Sequence, residues 1–218
     1  TLEHIHDVLG FLRGLRAAIG NRTGIPVFFE VPDTDRVLRE GAFWDIYYEH
    51  CSYFSQDNLC ALFERSGFDV EECWMDYDDQ YLMLLARPVT SEHGAVPAAP
   101  VSGTGRESQP LENQRSRWAQ SLAGWRREGL EVVLWGGGSK AVAFLNTLES
   151  SALVSRVIDI NPHKQGAYIP GTGQRVVAPE DLADRPADLV ILMNPVYEPE
   201  VRASLQRLGS EAELRSLG

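Results

Sequence analysis

Apolar positions recur at helical spacing from residue 2 to residue 19, where Ile5, Val8, Leu9, Leu12, Leu15 and Ile19 share a face and Gly20 ends the run. The opening therefore reads as one amphipathic helix. Next, Pro26-Val27-Phe28-Phe29-Glu30-Val31 is a short apolar run suited to a buried strand, closed by Pro32-Asp33. A second helix starts after Ser55, a residue suited to capping, carries Leu59, Leu62 and Phe63 on one stripe, and stops at Gly67. Two strand patterns follow, Phe68 to Met75 and Gln80 to Arg87, joined by the polar turn Asp76-Tyr77-Asp78-Asp79 as a hairpin. The order is helix, strand, helix, strand, strand. A doubly wound sheet must cover both faces, and this block has too few elements to do so alone.

From 88 to 110 the periodicity stops and Pro, Gly, Ser, Thr and Ala dominate, the composition of a linker. A second block, 111–218, then opens with a helix bearing Trp118, Leu122 and Trp125 on one face. Glu131 to Trp135 reads as a strand, Gly136 to Ala141 as a turn, and Val142 to Leu148 as a helix. Strands are expected at Val154–Ile160 and Ala187–Met193, with a closing helix from Pro199 to Leu208. Strand, helix and strand joined by a crossover imply a parallel, Rossmann-like unit.

Charge narrows the partners. The net charge is -11, with 18 Arg but only two Lys, Lys140 and Lys164. An acidic chain without clustered basic residues disfavours nucleic acid and anionic membrane, because phosphate recognition needs concentrated positive charge. No run of 18 apolar residues and no signal peptide is present, so a soluble cytoplasmic protein is expected. Cys51, Cys60 and Cys73 lack metal-site spacing and read as reduced thiols. His4 and His6 would diverge by about 200° on one helix and could not share a ligand, so no metal ligand set is expected.

Candidate chemistry concentrates in Ile46-Tyr47-Tyr48-Glu49-His50-Cys51-Ser52-Tyr53-Phe54-Ser55. An imidazole can take a proton near neutral pH without extreme tuning. His50 is thus a candidate base for removing hydrogen alpha to a ketone, with Tyr47 steadying the enolate oxygen and Glu49 orienting the ring or a sugar hydroxyl. Further on, Gly136-x-Gly138-x-x-Ala141 between a strand and a helix fits a dinucleotide fingerprint, with Asp159 placed to meet a ribose hydroxyl and Lys140 to add charge for a diphosphate. On those residues alone an NAD-dependent oxidoreductase and a non-catalytic nucleotide-sugar-binding module both stay open, as does a tight turn with no ligand.

Tyr47, Glu49, His50 and the following Ser52-Tyr53-Phe54-Ser55 resemble the Tyr-x-Glu-His motif region of S-adenosylmethionine-dependent nucleotide-sugar C-methyltransferases. Leu2-Glu3-His4-Ile5 resembles the segment after the fourth strand of class I methyltransferases. Gly136 to Lys140, Val157 to Gly166 and Tyr168 to Thr172 look like the C-terminal domain of the same family. The resemblance implies an α/β fold made of the rear half of a class I methyltransferase sheet (1–87), a linker (88–110) and a Rossmann-like domain (111–218). It implies methyl transfer to a carbon of a nucleotide-linked keto-deoxysugar, with His50, Tyr47 and Glu49 catalytic. Ser52, Tyr53, Lys140 and Asn161 would face the substrate, and His4 the S-adenosylmethionine. A zinc-binding domain and the glycine-rich cofactor loop would lie upstream of the sequence in hand, which on this reading is truncated.

Overall fold

The computed structural model of the chain describes residues 1–89, 108–149 and 151–217. It divides into two compact units, one of Thr1–Arg39 with Tyr48–Glu107 and the other of Glu40–Tyr47 with Ser108–Gly218. Most of the expected linker, residues 90–107, lies outside the described residues. The short segment 40–47 belongs with the second unit, although it precedes the linker in sequence by more than a whole hairpin.

In the first unit a 3-10 turn, Leu2–His4, precedes α1 (Val8–Ile19), β1 (Val27–Pro32) and α2 (Thr34–Glu40). The helix expected over 2–19 is thus interrupted. Asp7 is the reason: its carboxylate accepts a hydrogen bond from the Gly10 amide at 2.9 Å, so it caps α1 instead of lying inside it. Asp33 does the same for α2, accepting from the Arg36 amide at 2.9 Å. The sequence reading took Asp33 only as a strand stop and missed that helix. After the motif loop come α3 (Gln56–Arg65), β2 (Phe68–Asp76) and β3 (Tyr81–Pro88).

The three strands form an antiparallel sheet in the order β1-β3-β2. Period-two alternation turns Val27, Phe29 and Val31 toward the helices, where they join Leu12, Leu59, Phe63, Leu82, Leu84 and Ala86 in one core. Phe29 meets Phe11 of α1 and Phe63 of α3, ring centroids 6.5 and 5.3 Å away, so both helices lie on that face.

The hairpin turn carries three consecutive left-handed residues, Tyr77, Asp78 and Asp79, at φ 55°, 57° and 54°. None is glycine, and left-handed backbone costs an ordinary residue roughly 1–2 kcal/mol. Asp78→Gly should therefore raise stability by about 1 kcal/mol, read as a higher urea midpoint at unchanged slope; a lower midpoint would contradict this account.

The second unit holds α4 (Gln109–Arg127), β4 (Val132–Trp135), α5 (Ser139–Thr147), β5 (Val154–Ile158), β6 (Arg175–Val177), α6 (Asp181–Asp184), β7 (Leu189–Leu192), α7 (Glu198–Arg207) and β8 (Glu213–Ser216). Its five strands are all parallel, in the order β6-β5-β4-β7-β8. The chain moves outward from β4 in one direction and then in the other, the order of a doubly wound sheet. Val132 and Leu134 face a core shared with Trp118, Leu122, Phe144 and Leu145. Val133 and Trp135 face the other core, with Leu182, Val201 and Leu205. This two-sided burial explains the unbroken apolar run Val132-Val133-Leu134-Trp135. The segment 40–47 joins the first of these cores: Ala42, Phe43 and Trp44 are buried there, and Phe43 stacks on Phe144 at 5.7 Å. Gly41 takes φ +69° where a Cβ would stand 2.3 Å from the Pro110 carbonyl oxygen, so the approach admits only glycine. No helix among the described residues is long and apolar enough to cross a membrane.

Candidate active site

The loop that precedes α3 is pinned at both ends. At its start the Cys51 and Ser52 amides both donate to the Glu3 carbonyl, at 2.8 and 3.1 Å, and Ser52 Oγ donates to the Ile5 carbonyl at 3.1 Å. At its end the Thr34 amide donates to the Phe54 carbonyl at 2.9 Å, Phe54 is buried, and Ser55 Oγ accepts from the Asn58 amide to cap α3. The side chains between these anchors stay accessible while their backbone is held.

These bonds carry residue 50 to residues 3 and 4. The His4 and His50 rings meet edge to face, centroids 4.9 Å apart, and Tyr53 packs against the other side of His50 at 6.1 Å. His4 Nδ1 lies 3.0 Å from the Glu49 carbonyl oxygen. A carbonyl can only accept, so Nδ1 of His4 carries the hydrogen. Burial holds the His50 imidazole below its ordinary value; Glu3 and Glu49 pull upward and His4 downward, without reversing the outcome. His50 is accordingly the neutral, proton-accepting form at physiological pH. Ser52 spends its hydroxyl on the backbone bond to Ile5 and serves the loop itself.

Tyr47 belongs to a separate cluster within the second unit. Its hydroxyl donates to Asp45 Oδ1 at 3.0 Å, and Lys140 Nζ approaches the same oxygen at 3.2 Å. Asp45 is buried and Lys140 nearly so. Lys140 lies in the first turn of α5, not in the preceding loop, and its charge is met by a carboxylate of the protein. The sequence reading did not single out Asp45, and nothing in its neighbours' spacing marks a partner 95 positions away.

The glycine loop is also satisfied from within. Asp159 Oδ2 accepts from the Gly137 amide at 2.7 Å and from Lys164 Nζ at 3.2 Å, while Oδ1 accepts from the Asn161 amide at 2.8 Å. A carboxylate thus sits against the backbone donor that a dinucleotide phosphate would seek. Gly136 takes φ +108° and its amide bonds to Ile158, so it makes the strand-to-helix turn. Gly138 caps α5. Asn161 turns its own Oδ1 back to the His163 amide at 3.0 Å.

The relationships to other proteins agree with this arrangement. Residues 1–73 match the methyltransferase domain family, and residues 108–212 match the C-methyltransferase C-terminal domain family. Over 213 residues, 91% of this chain, the sequence is 28% identical to the C-methyltransferase NovU of Streptomyces niveus. The two matched segments are thus similar to a methyltransferase domain and to a C-methyltransferase C-terminal domain. The chain spans about half the length of that relative, 50%.

In the first unit Glu3, His4 and His50 place candidate ligand atoms within 4.8 Å of one another. Pairs close in sequence do not reveal this grouping, which the fold assembles from residues 3, 4 and 50. A tetrahedral zinc at ordinary bond lengths needs its nitrogens about 3.4 Å apart, so the set would have to contract to hold one. The three cysteines form no disulfide with one another. All three are free, and burial pushes the Cys60 and Cys73 thiols up, Cys73 to about 12, leaving both protonated and unreactive.

Proposed function

We propose that the chain forms the acceptor-activating part of a C-methyltransferase whose substrate is a nucleotide-linked keto-deoxysugar, and that His50 is its general base. The observation that carries this reading is the neutral, half-buried His50 imidazole held between His4 and Tyr53 on a doubly anchored loop. His50 takes a proton from the carbon alpha to the ketone; the C–H electron pair becomes the enolate double bond and negative charge moves to the oxygen. The family implies S-adenosylmethionine, which when bound supplies an electrophilic methyl carbon and a neutral thioether leaving group. The side chains present suit a cationic donor: Glu3 and Glu49 are acidic and His50 is uncharged. Tyr47 directs its hydroxyl hydrogen to Asp45 and so offers a substrate hydroxyl an acceptor oxygen.

The NAD reading has less support, because the Gly137 amide and Lys164 are engaged by Asp159. Calorimetric titration of the chain with NAD should show no heat of binding, and a nucleoside diphosphate should be retained; tight NAD binding would reverse the preference. The pH dependence is a second test. A base works when neutral, so activity is present at high pH and lost as pH falls through the His50 pKa. For the full-length enzyme, solvent-deuterium exchange at the acceptor carbon should fall along an acidic limb centred below the ordinary histidine value of about 6.5. A midpoint above that value would count against His50.

A further inference from the structure

The turn from Gly136 to Lys140 stands between a strand and a helix, yet its donors are engaged within the fold: the Gly136 amide by the Ile158 carbonyl at 2.7 Å and the Gly137 amide by Asp159 at 2.7 Å. What the turn delivers is Lys140. This is one of two lysines in the chain, set in the first turn of α5, where the helix dipole disfavours a cation, and its side chain is largely out of water. Its ammonium straddles the Asp45 carboxylate, 3.2 Å from Oδ1 and 3.5 Å from Oδ2. Asp45 ends the 3-10 turn Phe43–Asp45, which is fixed on the same helix by the stacking of Phe43 on Phe144. Both members of the pair are thus carried by one packed body, and Oδ1 also receives the Tyr47 hydroxyl at 3.0 Å.

A buried ion pair adds little net stability over apolar side chains of similar volume, so stability alone does not call for one here. Orientation does. A phenol hydroxyl turns about its C–O bond and points its hydrogen at the best acceptor in reach, and a carboxylate has only acceptors to offer. Lys140, lying against both oxygens, keeps the plane of that carboxylate from turning away. We infer that Asp45 and Lys140 are positioning residues: they lock the Tyr47 hydroxyl hydrogen inward, so that the phenol oxygen meets the acceptor sugar as a hydrogen-bond acceptor and selects a sugar hydroxyl there. The glycine-rich turn thereby acts on the reaction through Tyr47, three positions before His50 in the sequence, and not through a bound diphosphate. A sugar with an ether or carbonyl oxygen at that place would set two lone pairs against each other and bind less well.

The inference rests on the reading of the chain as the acceptor-activating part of a methyltransferase, and two measurements keep their failures apart. The first needs no substrate. In this chain, with ring-labelled tyrosine, NMR follows the Tyr47 hydroxyl proton, assigned by its loss in Tyr47→Phe. Its exchange with water should be slowed by the bond to Asp45, and should speed up by about 10-fold when Asp45→Leu is combined with Lys140→Met. That double variant strands no charge, so it should keep the wild-type far-UV spectrum and nearly the wild-type unfolding midpoint. A hydroxyl exchange rate indifferent to the double substitution overturns the proposal whatever the reaction. The second measurement follows solvent-deuterium exchange by the full-length enzyme against the concentration of a nucleoside-diphosphate-linked keto-deoxysugar. Tyr47→Phe and the double substitution should each raise KM by about 10-fold, with the larger share of the loss in KM and not in kcat. Combining all three changes should raise KM no further, since both routes remove the same contact. A role in stability alone predicts a wild-type KM in the well-folded double variant; that result, or a multiplied rise to about 100-fold in the triple, overturns the proposal. Absence of exchange in the wild-type enzyme would instead overturn the acceptor-activating reading and the sugar contact with it, while the hydroxyl measurement still decides the orientation of Tyr47.

Discussion

Replacing His50 by Gln should slow solvent-deuterium exchange into the acceptor carbon by about 100- to 10,000-fold in the full-length enzyme, the range for loss of a positioned general base. In barrier terms that is roughly 3–5 kcal/mol. Glutamine keeps a polar, planar side chain of similar size, so packing against His4 and Tyr53 is perturbed little, yet its amide cannot hold a proton near neutral pH. Exchange is measured without the methyl donor, which separates proton removal from methyl transfer. The acidic limb of the pH profile should vanish with the same substitution, because the group that titrates there is gone. Undiminished exchange in His50→Gln, with the limb intact, would assign the base to another residue. Cys51→Ala is the matched control: it is a neighbour on the same loop with an exposed side chain, and should leave exchange unchanged.

The loop that carries His50 was legible in the sequence because its setting is local. The Tyr-Tyr-Glu-His-Cys-Ser-Tyr run is contiguous, and its anchor to α3 is a capping serine with a recognisable signature. Its neighbour His4 was a different matter. The contact between them depends on two backbone amides, Cys51 and Ser52, converging on the Glu3 carbonyl, and backbone bonds between distant segments leave no side-chain pattern to read. Secondary structure followed the same division. The hairpin strands and the central strands β4, β5 and β7 were legible because burial on one or both faces dictates their composition. The strands β6 and β8 were not: they have three and four residues, and β8, Glu213-Leu214-Arg215-Ser216, is an edge strand with one partner. At Asp7 and Asp33 short polar side chains ended or began helices where apolar periodicity ran on regardless. Asp159 shows a further limit. Spacing along the chain placed it correctly at the end of β5, but which way a carboxylate turns depends on the donors it finds, here Gly137, Asn161 and Lys164.

Removing the Asp45 carboxylate should destabilise the second unit. Asp45 has 6% of its side chain exposed and Lys140 16%, so the pair is largely out of water. Deleting one member of such a pair strands the other charge, at a cost of about 3–5 kcal/mol when burial is complete. Lys140 keeps some solvent contact, which places Asp45→Ala at the lower end, about 3 kcal/mol. The position of Lys140 strengthens the expectation: in the first turn of α5 an ammonium faces the positive end of the helix dipole, and the Asp45 carboxylate offsets that repulsion. Tyr47 would lose its hydrogen-bond acceptor in the same step. Lys140→Met combined with Asp45→Leu should cost much less than Asp45→Ala, since no charge is left unpaired, and the double-mutant cycle reports the coupling directly. Tryptophan fluorescence suits the measurement, because Trp44, Trp118, Trp125 and Trp135 are all buried in this unit. Near-additive losses in the cycle would mean that Asp45 and Lys140 act independently. In that case the anchoring of the segment that carries Tyr47 would rest more heavily on the burial of Ala42, Phe43 and Trp44.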